Sequence, residues 1–203
     1  MIAVVDYGAG NIRSVVNALE AVAAECHVTS DPDEVRRSPA VLLPGVGAAA
    51  DTMEGLRRRG LDQAIAEAVQ EGKPFLGVCI GLQVLLTYSE EAGYSQCLNI
   101  VPGSVKRLPG TVKVPHIGWN QVFPLRPHGL FAGIPEGTYF YFVHSYYAQP
   151  NNASTILAET EYGVTFPSAL MVDNLMAVQF HPERSGRWGL KLYRNFVDIV
   201  LRS

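Results

Sequence analysis

Cysteine is scarce in this chain of 203 residues. The three present, Cys26, Cys79 and Cys97, include no Cys-x-x-Cys spacing. An odd, sparse set excludes a disulfide framework and a zinc ribbon, and suits a reducing cytoplasm. Charge is thin as well: 17% of residues are charged and the net charge is −3, which excludes the basic footprint of a nucleic-acid binder. The one basic cluster, Arg57-Arg58-Arg59, ends a helical pattern, where cations suit the negative end of the helix dipole. No run approaches the roughly 18 apolar residues of a spanning helix. The first residues, Met1 to Asp6, read as a strand and not as a signal peptide. A phosphate-binding Gly-x-x-x-x-Gly-Lys-Ser/Thr loop is missing. Gly8-Ala9-Gly10-Asn11-Ile12-Arg13 begins like a dinucleotide fingerprint but has Arg13 where the third glycine belongs. No two of the five histidines have metal-ligand spacing, so neither a metal nor a cofactor is expected.

What is present is a hydrophobic fraction of 48%, enough to bury the core of one domain spanning residues 1–203. In the first half, β and α patterns alternate. Ile2 to Asp6 is a short apolar strand, and Ile12, Val15, Val16, Leu19 and Val22 recur at helical spacing. Cys26–Thr29 is a second strand, and Ser30-Asp31-Pro32 supplies a helix cap with proline at the first turn. Ala40–Leu43 is a third strand. Leu61, Ala64, Ile65, Ala68 and Val69 mark a helix stopped by Gly72, and Phe75–Val78 is a further strand leading into the helical pattern Leu82–Leu86. From about Val101 the pattern changes to short alternating strands, and Leu192, Phe196 and Val200 space a closing helix. The expectation is an α/β fold: an open, mixed, mainly parallel sheet with helices on both faces and a smaller antiparallel edge sheet.

The chemistry is concentrated at Gly77-Val78-Cys79-Ile80-Gly81, between a strand and a helix. This is the nucleophile-elbow arrangement with cysteine in place of serine. A β-carbon at either flanking glycine would strike the neighbouring backbone. A helix start and a nearby imidazolium both favour the thiolate. Cys26 and Cys97 have neither glycine flanks nor a helix start and read as small apolar residues. A base is available at Phe180-His181-Pro182-Glu183, where Glu183 can orient His181 and stabilise its charged form. His116 and His144 are alternative bases without an adjacent carboxylate. The Ile80 N–H and the loop Pro44-Gly45-Val46-Gly47 are the candidate donors to an oxyanion.

These motifs, with Gly-Val-Cys-Ile-Gly-Leu-Gln at 77–83 and His-Pro-Glu at 181–183 in that order, resemble the class I (triad) glutamine amidotransferases over essentially the whole chain. The resemblance implies a flavodoxin-like arrangement and hydrolysis of glutamine to glutamate and ammonia. It makes Cys79, His181 and Glu183 catalytic, and Ile80, Val46 and Gly47 the oxyanion site. Gln83 and Glu91 would hold the amino-acid end of the substrate, with Glu90 an alternative to Glu91; Gly45, His144, Ser145 and Tyr146 would line the site.

Within the family, Asp6-Tyr7-Gly8-x-Gly10-Asn11, Pro44-Gly45-Val46-Gly47 and His116-x-Gly118-Trp119-Asn120 are most similar to glutaminase subunits of histidine biosynthesis. The implied partner is a (β/α)₈-barrel cyclase on a separate polypeptide, since the chain offers no phosphate loop and no room for a second domain. Asn11, Trp119 and Arg184 are the candidate partner face; simple core or edge packing is the alternative for Trp119. Two departures from the family pattern are Arg184 for the usual lysine and Tyr94-Ser95-Gln96-Cys97 for a glycine-rich turn. Val46 stands where most relatives have glycine and resists peptide rotation. The loop N–H is therefore expected to point away from substrate until the partner's ligand shifts it. A free-standing cysteine hydrolase acting on γ-glutamyl substrates, active alone, is the alternative enzyme. A catalytically idle binding subunit would have no need of all three triad residues.

Overall fold

Alternation of buried side chains along four short strands divides the interior into two cores. In β1 (Ile2–Val5), β3 (Ala40–Leu43), β4 (Phe75–Val78) and β13 (Leu175–Val178), successive residues point to opposite sheet faces. Ile2, Val4, Ala40, Leu42, Leu76, Val78, Met176 and Val178 share one core with α1 (Ile12–Ala21) and α6 (Gly186–Val200). Val5, Val41, Leu43, Phe75, Leu175 and Ala177 share the other with α3 (Ala49–Arg58) and α4 (Leu61–Gln70). Each of these strands is buried throughout, as a sheet covered on both faces requires. The computed structural model describes residues 1–8 and 11–203; Ala9 and Gly10 of the first loop lie outside the described residues.

The larger sheet has nine strands in the order β2-β1-β3-β4-β13-β12-β11-β8-β9. Its first half is parallel: β2 (Cys26–Thr29), β1, β3, β4 and β13. Its second half is antiparallel, through β12 (Thr165–Val172), β11 (Ile156–Glu161), β8 (His116–Pro124) and β9 (Thr138–His144). A second sheet orders β10 (Tyr146–Pro150), β7 (Gly103–Arg107), β5 (Tyr88–Ser89) and β6 (Ser95–Gln96), antiparallel except for the β5–β7 pair. In α2 (Pro32–Arg37), the Asp31 carboxylate caps the Asp33 N–H at 2.8 Å, with Pro32 in the first turn. Within the atypical Tyr94-Ser95-Gln96-Cys97 stretch, Ser95 and Gln96 form β6, and Tyr94 stacks on Tyr88 with ring centroids 5.0 Å apart.

One helix is shorter than its sequence pattern. α5 (Ile80–Gln83) stops before Val84-Leu85-Leu86 because the carbonyls of those residues accept N–H groups from the 98–101 loop. Long-range pairing there outcompetes local helical bonding.

The elbow depends on close backbone approach. A β-carbon on Gly77 would lie 2.8 Å from the Gly81 carbonyl oxygen, and one on Gly81 would collide with the carbonyl of Leu43. Gly81→Ala should therefore lower stability by about 1–3 kcal/mol, as overpacking does. Gly110→Ala, with open space around it, should stay within about 0.5 kcal/mol of wild type. Chemical denaturation of the two variants checks this; equal stabilities would refute the steric account of the elbow.

Candidate active site

Strand β4 delivers Cys79 to the rim of the sheet in a strained conformation, φ 54° and ψ −107°. A side chain with a β-carbon enters this region only when its surroundings hold it there. The Cys79 N–H donates to the Val178 carbonyl of β13 at 2.8 Å, and the Cys79 carbonyl accepts from Leu82 and Gln83 at 3.0 and 3.2 Å. Backbone bonding thus fixes Cys79 on both sides.

The parallel register pairs Val78 with Val178. Beyond that pair, β13 continues into Gln179-Phe180-His181. Phe180 turns into the core shared with α6, so Gln179 and His181 face the other way, toward Cys79. His181 and Cys79 line the same cavity. His181 Nδ1 donates to Glu183 Oε1 at 2.7 Å, with both side chains only 3% exposed. That bond leaves Nε2 as the ring's acceptor, and Nε2 is buried without a hydrogen-bond partner of its own. Burial by itself would push the His181 imidazolium down. The negative charge and proximity of the Cys79 sulfur, joined by Glu183, overcome this and raise it to about 10.

The cavity encloses about 370 Å³. Cys79, Ile80, Gln83 and His181 form its buried end, and Val46, Gly47 and Arg184 its exposed mouth. Glu91, His144, Ser145 and Tyr146 also line it, as do Pro115 and Val143, which the sequence did not single out. Glu91 and Glu90 part company here. Glu91 enters the cavity and accepts the Ala49 N–H at 2.8 Å, whereas Glu90 pairs with Lys106 on the surface. Gly45 does not line the cavity; it lies buried behind the loop, where an added β-carbon would strike Ile80 and the Tyr7 hydroxyl. Asn11, at the start of α1, and Trp119, 55% exposed on β8, are also outside the cavity wall.

The two alternative bases, His116 and His144, are tied to each other and not to Cys79. His144 Nδ1 meets the Tyr146 carbonyl at 2.9 Å, and its Nε2 meets His116 Nδ1 at 2.9 Å. Burial lowers His116 to about 4 and His144 to about 3, so both stay neutral at pH 7. Among the described residues no group of His, Cys, Asp and Glu side chains could hold a metal ion. Cys97 is buried, and burial pushes its thiol up to about 11, in keeping with a packing role.

Three supporting residues escaped the sequence reading. Tyr193 of α6 places its hydroxyl 3.4 Å from Glu183 Oε2. Ser185 donates to the His181 carbonyl at 2.6 Å and accepts the Tyr141 N–H at 3.0 Å, bracing the turn against β9. Tyr7 sits beneath the 45–47 loop, its hydroxyl buried without a completed hydrogen bond. The spacing of Leu192, Tyr193 and Phe196 could have placed Tyr193 on the buried face of α6. Nothing local marks Ser185; Tyr7 belongs to the Asp6-Tyr7-Gly8 motif, which by itself gives the side chain no place under the loop.

Because the Cys79 charge is the leading influence that raises His181, Cys79→Ala should lower the imidazole pKa from about 10, and NMR titration of the ring would read this. Linkage fixes the sign of the stability effect. The elevated pKa contributes fully below the ordinary histidine value of 6.5, and the contribution is lost as pH rises through about 10. The stability advantage of wild type over Cys79→Ala should accordingly shrink across that window. An unchanged imidazole pKa in the variant would contradict the coupling.

Residues 3–200 match the family model described as glutamine amidotransferase class-I. Three similar relatives all carry the name imidazole glycerol phosphate synthase subunit HisH. The protein from Dehalococcoides mccartyi strain CBDB1 is 55% identical, over 99% of this chain and 98% of its own. That from Moorella thermoacetica is 51% identical over 98% and 95%. That from Methanothermobacter thermautotrophicus is 48% identical over 98% and 99%. Among solved structures, one titled glutamine amidotransferase superposes with a TM-score of 0.78 at 18% identity, covering 98% of this chain and 99% of that one. PurLQS from Thermotoga maritima gives a TM-score of 0.77 at 18% identity, covering 98% and 97%; at such identities the likeness concerns the fold alone. The chain belongs to the class I glutamine amidotransferases.

Proposed function

We propose that this chain is the glutaminase subunit of imidazole glycerol phosphate synthase, releasing ammonia from glutamine for a separate cyclase subunit. The observation that carries the reading is the assembly of Cys79, His181 and Glu183 around one small cavity, in a chain about half identical to HisH proteins along its full length. In the mechanism, His181 Nε2 takes the Cys79 proton, and the thiolate attacks the side-chain amide carbon of glutamine. Glu183 holds the ring and stabilises its charge. The tetrahedral intermediate collapses to a γ-glutamyl thioester as His181 returns the proton to the departing ammonia. Water, deprotonated by His181, then cleaves the thioester; glutamate leaves and the thiol is restored.

Ile80 N–H and an N–H of the 45–47 loop stabilise the oxyanion, each worth roughly 10²–10³ in rate. The first N–H groups of α5 have no intrahelical partner, which supports the role of Ile80. Gln83 and Glu91 hold the amino-acid end of glutamine, with Gly47 and residues 144–146 as the walls. Gly45 supports the loop from behind. The resting loop keeps its donor turned from the substrate until the partner's ligand shifts it, because the β-branched Val46 resists peptide rotation.

The partner is a (β/α)₈-barrel cyclase. Ile117, Trp119 and Phe123 of β8 and Tyr139 of β9 form an exposed apolar face. It is continuous with Tyr141, over whose ring the Arg184 guanidinium lies at 5.8 Å, and with Val143 in the cavity wall. A contiguous apolar face beside a cavity mouth fits a docking surface better than a solvated one. Trp119 and Arg184 belong to it, and Asn11, at the start of the helix that packs on the 182–184 turn, is the third candidate contact. A reducing cytoplasm suits the three free cysteines. No helix among the described residues is long and apolar enough to cross a membrane.

Glutamate release from glutamine tests the reading, with the chain alone, with the cyclase, and with cyclase plus its phosphoribosyl ligand. Activity is expected only when partner and ligand are both present, and Cys79→Ala should abolish it. Equal rates in all three conditions would identify a free-standing cysteine hydrolase and overturn the gated loop.

A further inference from the structure

We propose that Gln179 is a hydrogen-bond donor to the nucleophile, its side-chain amide stabilising the Cys79 thiolate; this rests on the assignment of Cys79 above. Gln179 is fully buried, and its Nε2 lies 3.7 Å from Cys79 Sγ. The orientation of that amide follows from the network behind it. The Tyr146 backbone carbonyl can only accept, and Gln83 Nε2 approaches it at 2.8 Å, so Gln83 must present its NH₂ group there. The second hydrogen of that group points to Gln179 Oε1 at 3.1 Å. Gln179 therefore spends its oxygen on Gln83 and turns its own NH₂ toward the sulfur. One backbone carbonyl dictates the polarity of two side-chain amides.

The same chain of bonds is anchored against rotation. The Gln179 N–H donates to the Ser168 carbonyl at 2.9 Å, which holds residue 179 in line with the sheet beside Cys79. The thiol proton has other acceptors: His181 Nε2, and the Val143 carbonyl 4.0 Å from the sulfur. An amide N–H facing sulfur is compatible with thiol and thiolate alike but bonds the charged form more strongly. It lowers the energy of the thiolate without taking a proton, leaving His181 free as the base. On attack, the negative charge leaves sulfur for the carbonyl oxygen, and the Gln179 bond weakens as the oxyanion donors take over.

The test reads the thiolate directly, apart from glutamine turnover. The rate of Cys79 alkylation by iodoacetamide is followed against pH in the full chain, with the modified peptide identified by mass spectrometry. Gln179→Met keeps the volume and drops the donor, and its alkylation midpoint should rise by about one pH unit. Gln179→Glu retains an oxygen for Gln83 but sets a carboxylate beside the sulfur, and its midpoint should rise further. A residue that only fills space would leave the midpoint of the neutral, equal-volume Met variant at the wild-type value. Identical midpoints in wild type and whichever variants fold would overturn the proposal. Neither variant need fold for a last reading: in wild type, one glutamine side-chain amide resonance should move as Cys79 ionises, and the absence of any such shift would likewise overturn it. Should the midpoints move as expected while no glutamate is released with partner and ligand, the donor stands and the functional reading fails.

Discussion

The parallel pairing of β4 with β13, with Val78 opposite Val178, is the constraint on which the site depends. Two strands nearly a hundred residues apart in sequence end at the same level. Their next residues, Cys79 and Gln179, become neighbours, and His181 follows two positions on. A register slip of one residue would turn every side chain beyond the pair to the opposite face. The slip is blocked by the core. Leu76, Val78, Met176 and Val178 are committed to one side, and Phe75, Leu175 and Ala177 to the other. Hydrophobic alternation that stabilises the sheet is thus the same feature that aims Cys79, Gln179 and His181 at one another.

Strain at the elbow is tolerated for the same reason. Cys79 could relax only by leaving the Val178 carbonyl and the first turn of α5, and both are locked by packing on two faces. His181 is supported by a different layer. Ser185 ties the His181 turn to β9, and Tyr193 of α6 braces the carboxylate of Glu183. Desolvation should make a charged imidazole costly in this setting. It is offset because two groups of opposite charge, the Cys79 sulfur and Glu183, were brought in with it.

The first half of the fold was legible because its signals are local. Cys26–Thr29, Ala40–Leu43 and Phe75–Val78 stand as read from sequence, and Asp31 caps its helix as its residue type foretells. The elbow was legible for a steric reason that the Gly77 and Gly81 contacts bear out. What could not be read is non-local. The early end of α5 is decided by a loop fifteen residues further on, and the tethering of His144 to His116 by the pairing of β8 with β9. Ser185 stands in no motif, and the Asp6-Tyr7-Gly8 motif does not tell that Tyr7 packs beneath the 45–47 loop. Gln179 was within reach: it shares strand parity with His181, but an amide inside an apolar run reads as a ladder residue until its neighbours are known.

The central claim is that Cys79 Sγ is the atom to which the glutamyl group is transferred. Acid-quenching the complex during glutamine turnover and digesting it for mass spectrometry tests this most directly. The account predicts one γ-glutamyl group in thioester linkage on the Cys79 peptide, absent when His181 is replaced by Ala and never found on Cys26 or Cys97. Sustained glutamate release with no acyl group on Cys79 would contradict it.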